Sequence, residues 1–219
     1  AEGNLAFKNC VNLSSVTINA TGLKDLSSYF TSSSCEYYAA FYNTGTNTQG
    51  MTVTFGNGVT RIPSYLFATG KEKSDNIYCH IKTLKISSTI TEIGQSAFKN
   101  CYDIKNVTWG TSLKKIGANC FENCEEIGSV MIPASATQIG GCAFKNCVML
   151  SSLTINAASL EDVSSYSAAS SCEYYSVFYN AGTKTQGMTV TFGDDVARIP
   201  AFFFGTVKGK ADNVYCHIT

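Results

Sequence analysis

The sequence predicts an α/β-type repeat solenoid: a right-handed coil of about eight turns, with one short parallel β-strand per turn and little regular helix. Three observations predict it. Between residues 93 and 155 apolar residues recur every 23 positions, as in Ile93/Ile116/Ile139, Phe98/Phe121/Phe144 and Cys101/Cys124/Cys147. Each period closes on a short alternation of apolar and polar residues, the signature of a half-buried strand. Residues 6–82 also match 143–219 without gaps at an offset of 137, and 52 of the 77 pairs are identical. A fixed period of this size means stacked units that cannot bury their apolar face alone.

The regular turns define the frame. Ile104, Ile127 and Leu150 are followed by Val107, Val130 and Leu153, then by Trp109, Ile132 and Ile155. Leu150-x-x-Leu153-x-Ile155 is therefore the L-x-x-L-x-L element of a leucine-rich repeat, whose periods span about 20–29 residues. Val107-Thr108-Trp109, Val130-Met131-Ile132 and Leu153-Thr154-Ile155 read as strands whose middle residue points to solvent. The segment Ile-Gly-x-x-x-Phe-x-x-Cys is the returning arm, with Gly expected to permit a tight bend and Phe and Cys to fill the interior.

The same frame runs along the rest of the chain with insertions. Phe7 leads to Leu13, Val16 and Ile18 unchanged. Phe41 leads to Val53 and Phe55 through a stretch three residues longer, and Phe67 leads to Ile81, Leu84 and Ile86 with eight extra residues. Phe178 and Phe204 repeat the Phe41 and Phe67 patterns. One solenoid domain thus spans residues 1–219, read as a piece of a longer protein: both ends fall inside a turn, and neither has the polar outer face of a terminal repeat. Such uncapped ends could also stack on another copy.

Ile93-Gly94 with Ala97-Phe98 and Cys101, Ile139-Gly140 with Ala143-Phe144 and Cys147, and the ending Val130-Met131-Ile132-Pro133 resemble the hallmark of the BspA-like (Treponema-type) leucine-rich-repeat family. The resemblance implies a bacterial or protist surface protein, similar in several cases to adhesins that bind host matrix proteins or cells. It carries no family catalytic motif.

Composition narrows the function. Sixteen basic and sixteen acidic residues balance to zero charge without a basic run, which argues against an electrostatic nucleic-acid surface. No apolar run approaches the roughly 20 residues that span a bilayer, and Ala1-Glu2-Gly3-Asn4 has no signal-peptide character. The polar positions are filled by Ser, Thr, Asn and Gly, a neutral hydroxyl-rich surface that suits an extracellular or cell-surface protein.

No catalytic, metal or cofactor site is expected. Cys10, Cys101, Cys124 and Cys147 share one interior position and read as a ladder of small buried thiols; Cys35, Cys79, Cys120, Cys142, Cys172 and Cys216 fall off that ladder. Stacked cysteines pointing the same way at about 4.8 Å are poorly placed for the disulfide dihedral. His80 and His217 are copies of one position five units apart, and Cys79 and His80 should face opposite sides of a strand. Neither a triad nor a four-ligand zinc site can be assembled from them.

Two surfaces are candidates for binding. Thr17, Thr54, Lys85, Thr108, Met131, Thr154 and Thr191 hold the outward middle position of successive strands, and Ser15, Asn106, Ser129 and Ser152 also point outward. They are expected to form a continuous strip of the kind solenoids present to ligands; the plainer reading is a solvated β-face on which Thr is a good strand residue. The second surface is the duplicated insertion that carries Tyr37, Tyr38, Tyr174 and Tyr175. Tyr supplies contact area with a polar tip, against the plainer reading that these rings cover an enlarged unit. The functional expectation is a non-catalytic module that binds a host or extracellular protein or glycan. The alternative is a structural spacer with no ligand of its own.

Overall fold

The computed structural model describes residues 6–26, 40–70, 73–163, 176–201, 203–205, 216 and 218–219. The chain winds as a stack of coils. Seven strands line one side: β1 (Ser15–Ile18), β2 (Met51–Phe55), β4 (Ile81–Lys85), β6 (Asn106–Thr108), β8 (Ser129–Ile132), β10 (Ser152–Ile155) and β11 (Thr189–Phe192). All their pairings are parallel and in the register the repeat predicts, with Val16 opposite Val53 and Leu153 opposite both Val130 and Val190. The only helical element among the described residues is a 3-10 turn at Lys73–Asp75.

The returning arm adds a second sheet. Arg61–Ile62 (β3), Glu92–Ile93 (β5), Lys115–Ile116 (β7) and Gln138–Ile139 (β9) are two-residue strands that pair in parallel. The glycine that follows three of them does not make a left-handed bend, as the sequence led us to expect. Gly94, Gly117 and Gly140 instead lie so close to the neighbouring coil that a Cβ would come within 3.0 Å of the backbone nitrogens of Ser64, Gln95 and Ala118. Absence of a side chain, not backbone freedom, is what this position requires. The left-handed conformation falls two residues to either side of the phenylalanine: Tyr65, Ser96, Asn119 and Cys142 before it, and Asn9, Asn43, Asn100, Asn123, Asn146 and Asn180 after it. Asn tolerates that region better than most residues.

Between the sheets runs a column of eight phenylalanine rings. Centroid distances from Phe7 through Phe41, Phe67, Phe98, Phe121, Phe144 and Phe178 to Phe204 are 4.7, 4.4, 5.4, 5.1, 5.4, 5.2 and 5.4 Å, and every pair is stacked. Stacked aromatic pairs add about 0.5–1.5 kcal/mol each beyond the area they bury. A second column is polar. Asn43 donates to Asn9 (3.0 Å), Asn123 to Asn100 (2.6 Å), Asn146 to Asn123 (2.6 Å) and Asn180 to Asn146 (2.9 Å), each through Nδ2 to Oδ1. The Phe67 coil has Thr69 there, and Asn100 donates to its backbone carbonyl at 2.6 Å.

The strand side is not one sheet. β1, β2, β4 and β6 form the first and β8, β10 and β11 the second; β6 and β8 touch without pairing. This step carries Trp109 where the other strands carry Phe55, Ile86, Ile132 or Ile155. The indole reaches Phe121 at 5.4 Å and Phe144 at 6.1 Å, edge-on to both. Val107 beside it is only half-buried where Val53, Leu84, Val130 and Leu153 are buried. Its Nε1 has no hydrogen-bond partner among the described residues.

Two substitutions test the stacking argument. Phe121→Ala should cost about 3–5 kcal/mol of unfolding free energy through the cavity it leaves in the ring column. Gly117→Ala, a change of one methyl group, should still cost about 1–3 kcal/mol because neighbouring backbone cannot yield. Urea unfolding followed by circular dichroism measures both, and a neutral Gly117→Ala would remove the close-approach account.

Candidate binding face

The outward residues fall into two rows on each sheet. Thr17 pairs with Thr54, Thr54 with Lys85 and Lys85 with Thr108; beside them Ser15 pairs with Thr52, and Thr83 with Asn106. On the second sheet Met131, Thr154 and Thr191 are in register, as are Ser129, Ser152 and Thr189. Thr17, Lys85, Thr108 and Thr191 are exposed, while Thr54, Met131 and Thr154 are half-buried. The predicted strip is therefore present but parted between Thr108 and Met131, where the two sheets fail to pair. Lys82 is an extra residue in β4: the register shifts there, with Met51 opposite Ile81 and Thr52 opposite Thr83. Tyr37, Tyr38, Tyr174 and Tyr175 lie outside the described residues, as do Cys35, Cys172 and His217.

Hydroxyls on the two sides of the coil have different fates. On the arm side several are bound into the backbone. Thr89 Oγ1 donates to the Val59 carbonyl at 2.8 Å and Ser135 Oγ to the Thr111 and Leu113 carbonyls at 2.9 Å each. The Ser87 and Thr89 hydroxyls are 2.7 Å apart. On the strand face the hydroxyls of Ser15, Thr17, Thr52, Thr54, Thr83, Thr108, Ser152, Thr154, Thr189 and Thr191 enter no hydrogen bond among the described residues. They are held by the strands and left open to solvent.

Several charges are matched on the other surfaces. Asp25 faces Arg61 at 2.7 Å, and that guanidinium holds its carboxyl below the usual range; Arg61 also reaches Glu92 at 3.4 Å. Asp162 pairs with Arg198 at 2.8 Å, its pKa lowered first by the Ala201 backbone N–H. Glu122 is buried between Lys99 at 2.7 Å and Lys145 at 3.4 Å, and Asn119 donates to it at 2.8 Å. Burial raises its pKa, but these contacts outweigh burial and the net shift is downward. On the arm sheet a cleft of about 230 Å³ is rimmed by Glu161 and Asp162. Glu161 already accepts from Gln138 at 3.3 Å.

A cluster that sequence reasoning missed lies between the Phe67 and Phe98 coils. His80 Nδ1 is 2.8 Å from Asp103 Oδ2, and Tyr78 donates to Asp103 Oδ1 at 3.1 Å. The Tyr78 and His80 rings stack at 4.0 Å. Burial raises the Asp103 pKa, yet the bonds from His80 and Tyr78 more than compensate. His80 Nε2 is buried without a partner, and no hydroxyl or thiol is bonded to it as a nucleophile would be. The cluster therefore acts as a tie between coils. The 23-residue spacing from His80 to Asp103, one repeat period, was the available signal, obscured by the insertion ahead of His80.

The cysteine ladder extends further than expected. Cys79, placed off it by sequence, re-enters the column after the insertion: it bridges Thr44 in the preceding coil and accepts from Thr44 Oγ1 at 3.3 Å. Cys101, Cys124 and Cys147 donate to the carbonyls of Phe67, Phe98 and Phe121 at 3.4, 3.2 and 3.4 Å. The eight described cysteines are free thiols. Burial pushes Cys101, Cys120, Cys124 and Cys147 well up, and Cys142 to about 11. Among the described residues no three His, Cys, Asp or Glu side chains converge as metal ligands.

Parallel strands on one face, a ring column inside and a short arm returning behind define a leucine-rich-repeat protein. The chain belongs to the BspA type leucine rich repeat region family, whose repeat matches in six copies over residues 3–74, 37–175 and 73–204. It is similar to a leucine rich cell surface protein from Faecalibacterium prausnitzii, at 20% identity and a TM-score of 0.45, over 60% of this chain and 36% of that one. It is also similar to a leucine-rich repeat protein from Bacteroides ovatus, at 15% identity and a TM-score of 0.46, over 86% of this chain and 45% of that one. The chain thus spans less than half the length of either. No curated protein matches it. No helix among the described residues is long and apolar enough to cross a membrane.

Two measurements follow from the titrating groups. The folded pKa of Glu122 lies below its ordinary value of 4.5, so its stabilisation is present above that pH and is lost as pH falls through the folded value. The melting temperature of Glu122→Gln should fall short of the unmodified protein at neutral pH, with the gap closing as pH drops below the ordinary value of 4.5 and through the lower folded one. Buried thiols that are not thiolates do not react. Iodoacetamide at pH 8 should leave Cys101, Cys124 and Cys147 unlabelled in the folded chain and label them in guanidinium, read by peptide mass spectrometry.

Proposed function

We propose that this chain is a non-catalytic, extracellular or cell-surface module that binds a protein or glycan along its strand face, in the manner of an adhesin. One observation carries the reading: the strand-face hydroxyls stand in two registered rows with no hydrogen-bond partner among the described residues, whereas arm-side hydroxyls such as Thr89 and Ser135 are bound to backbone carbonyls. Polar groups already held in place and solvated lose little entropy when a ligand replaces their water. Thr17, Thr54, Lys85, Thr108, Met131, Thr154 and Thr191 are the residues such a ligand would meet. Tyr37, Tyr38, Tyr174 and Tyr175 remain the second candidate surface.

The chain is to be tested against an array of extracellular-matrix proteins and mucosal glycans. A Thr54→Gln/Thr108→Gln/Thr154→Gln variant serves as control, because it obstructs both halves of the face with uncharged bulk. Selective binding by the chain and its loss in the variant are expected. A folded chain that binds nothing on the array would favour the spacer reading. Binding that survives the variant would move the site off the strand face.

A further inference from the structure

The strand face carries charge of one sign only, and that charge is gathered at one place. Lys85 points outward from β4, between Thr54 and Thr108 in the row. Lys82, the extra residue of the same strand, lies three residues away, about 10 Å along an extended chain. Lys105 sits in the next coil directly beside Lys82, its backbone N–H donating to the Lys82 carbonyl at 3.1 Å. Lys85 and Lys105 are exposed and Lys82 half-buried. Neither Lys85 nor Lys105 forms an ion pair among the described residues. No row position holds Asp or Glu. The nearest carboxylate is Asp103, which lies on the turn side of Ile104, feels Lys82, and is already held by His80 and Tyr78. Glu126 occupies the equivalent place one coil on. Five acids elsewhere are paired with bases, in Asp25–Arg61, Glu92–Arg61, Glu122–Lys99, Glu125–Lys73 and Asp162–Arg198, while Glu161, Asp194 and Asp195 lie outside the rows. A protein of zero net charge therefore presents three lysines in an otherwise neutral field of hydroxyls.

We propose that the strand face takes an acidic polysaccharide, an extended glycan bearing carboxylate or sulfate groups. This inference rests on the strand-face reading above and names its ligand class. The glycan's anionic groups seat at Lys82, Lys85 and Lys105, and its hydroxyls exchange hydrogen bonds with the Ser and Thr rows to either side. An acidic protein fits less well, because tight protein interfaces are anchored by aromatic and large apolar side chains, and the rows offer only Met131. A single-stranded nucleic acid fits less well for a related reason: no row residue is aromatic, so its bases would have nothing to stack on.

The test is retention of the whole chain on immobilised heparin, hyaluronate, dextran and single-stranded DNA across a salt gradient. Heparin or hyaluronate should bind and dextran should not, with affinity falling as salt screens the charges. A Lys82→Ser/Lys85→Ser/Lys105→Ser variant should lose on the order of tenfold to a hundredfold in affinity for the acidic glycan. A Lys24→Ser/Lys114→Ser/Lys115→Ser variant removes the same charge from the arm side and should lose about threefold or less. The Arg triple at 82, 85 and 105 should retain binding, which separates lost charge from lost fold. Equal losses in the two serine variants would overturn the proposal, as would DNA bound as tightly as heparin, or neither acidic glycan bound. If another ligand is bound, is lost in the Gln variant of the face and survives in the lysine-face variant, the strand-face reading stands and the acidic-glycan assignment falls.

Discussion

One constraint governs this molecule: each coil must lie flat on the next at close to the spacing of paired strands. The contacts that hold the stack all depend on it. Phenylalanine rings can stack at 5.1–5.4 Å through the regular turns only if the backbones that carry them keep that separation. The asparagine amides reach one another only in the same register, and the thiols reach the preceding carbonyls only there. The glycines after the arm strands are the other side of the constraint. Coils this close leave no room for a Cβ, so the requirement for glycine comes from the neighbouring turn and not from the local backbone. Structure in such an array is determined between units, which is why a single turn has no fold of its own.

The sequence was most informative about residues whose environment repeats. Phe98, Phe121 and Phe144, the thiols at 101, 124 and 147, and the outward positions from Thr17 to Thr191 could be read from spacing alone, because period and burial coincide at those positions. The rest was hidden for identifiable reasons. Asn100, Asn123 and Asn146 also repeat, but polar residues are not counted when a core is sought, and the left-handed backbone they occupy has no side-chain signal beyond a mild preference for Asn. Cys79 was misplaced because an insertion carries the chain out and back, and the residue that refills the column is set by geometry, not by count. Trp109 matched the apolar pattern, and only its volume distinguishes it from the isoleucines beside it. His80 and Asp103 lie one period of 23 apart, but the insertion ahead of His80 takes it out of the frame in which that offset would be sought.

The candidate face was legible as a pattern but not as chemistry. By residue type Thr154 and Thr89 are alike, each a half-buried threonine hydroxyl. In the fold one is free and the other is bound to a carbonyl of the coil before it. The same sorting separates the lysines. Lys99 and Lys115 neutralise carboxylates on their own surfaces, while Lys85 and Lys105 do not. A net charge of zero conceals this division, because it sums over surfaces that a ligand would never meet together.

The parting of β6 from β8 has a mechanical side. Hydrogen bonds between coils run along the axis of the stack, so a pull on its two ends loads them in tension, one interface at a time. Most interfaces in the middle of the chain resist through both sheets, the ring column and the asparagine ladder. The interface between the Trp109 turn and the next keeps the ring contacts, the asparagine bond and the Lys115–Gln138 pairing, but has no strand ladder on the strand side. Stretching would open the solenoid there first, on the strand side, like a book along its spine. Under the proposed function, a chain held by its ligand against flow would extend at a defined place between the two halves of the candidate face.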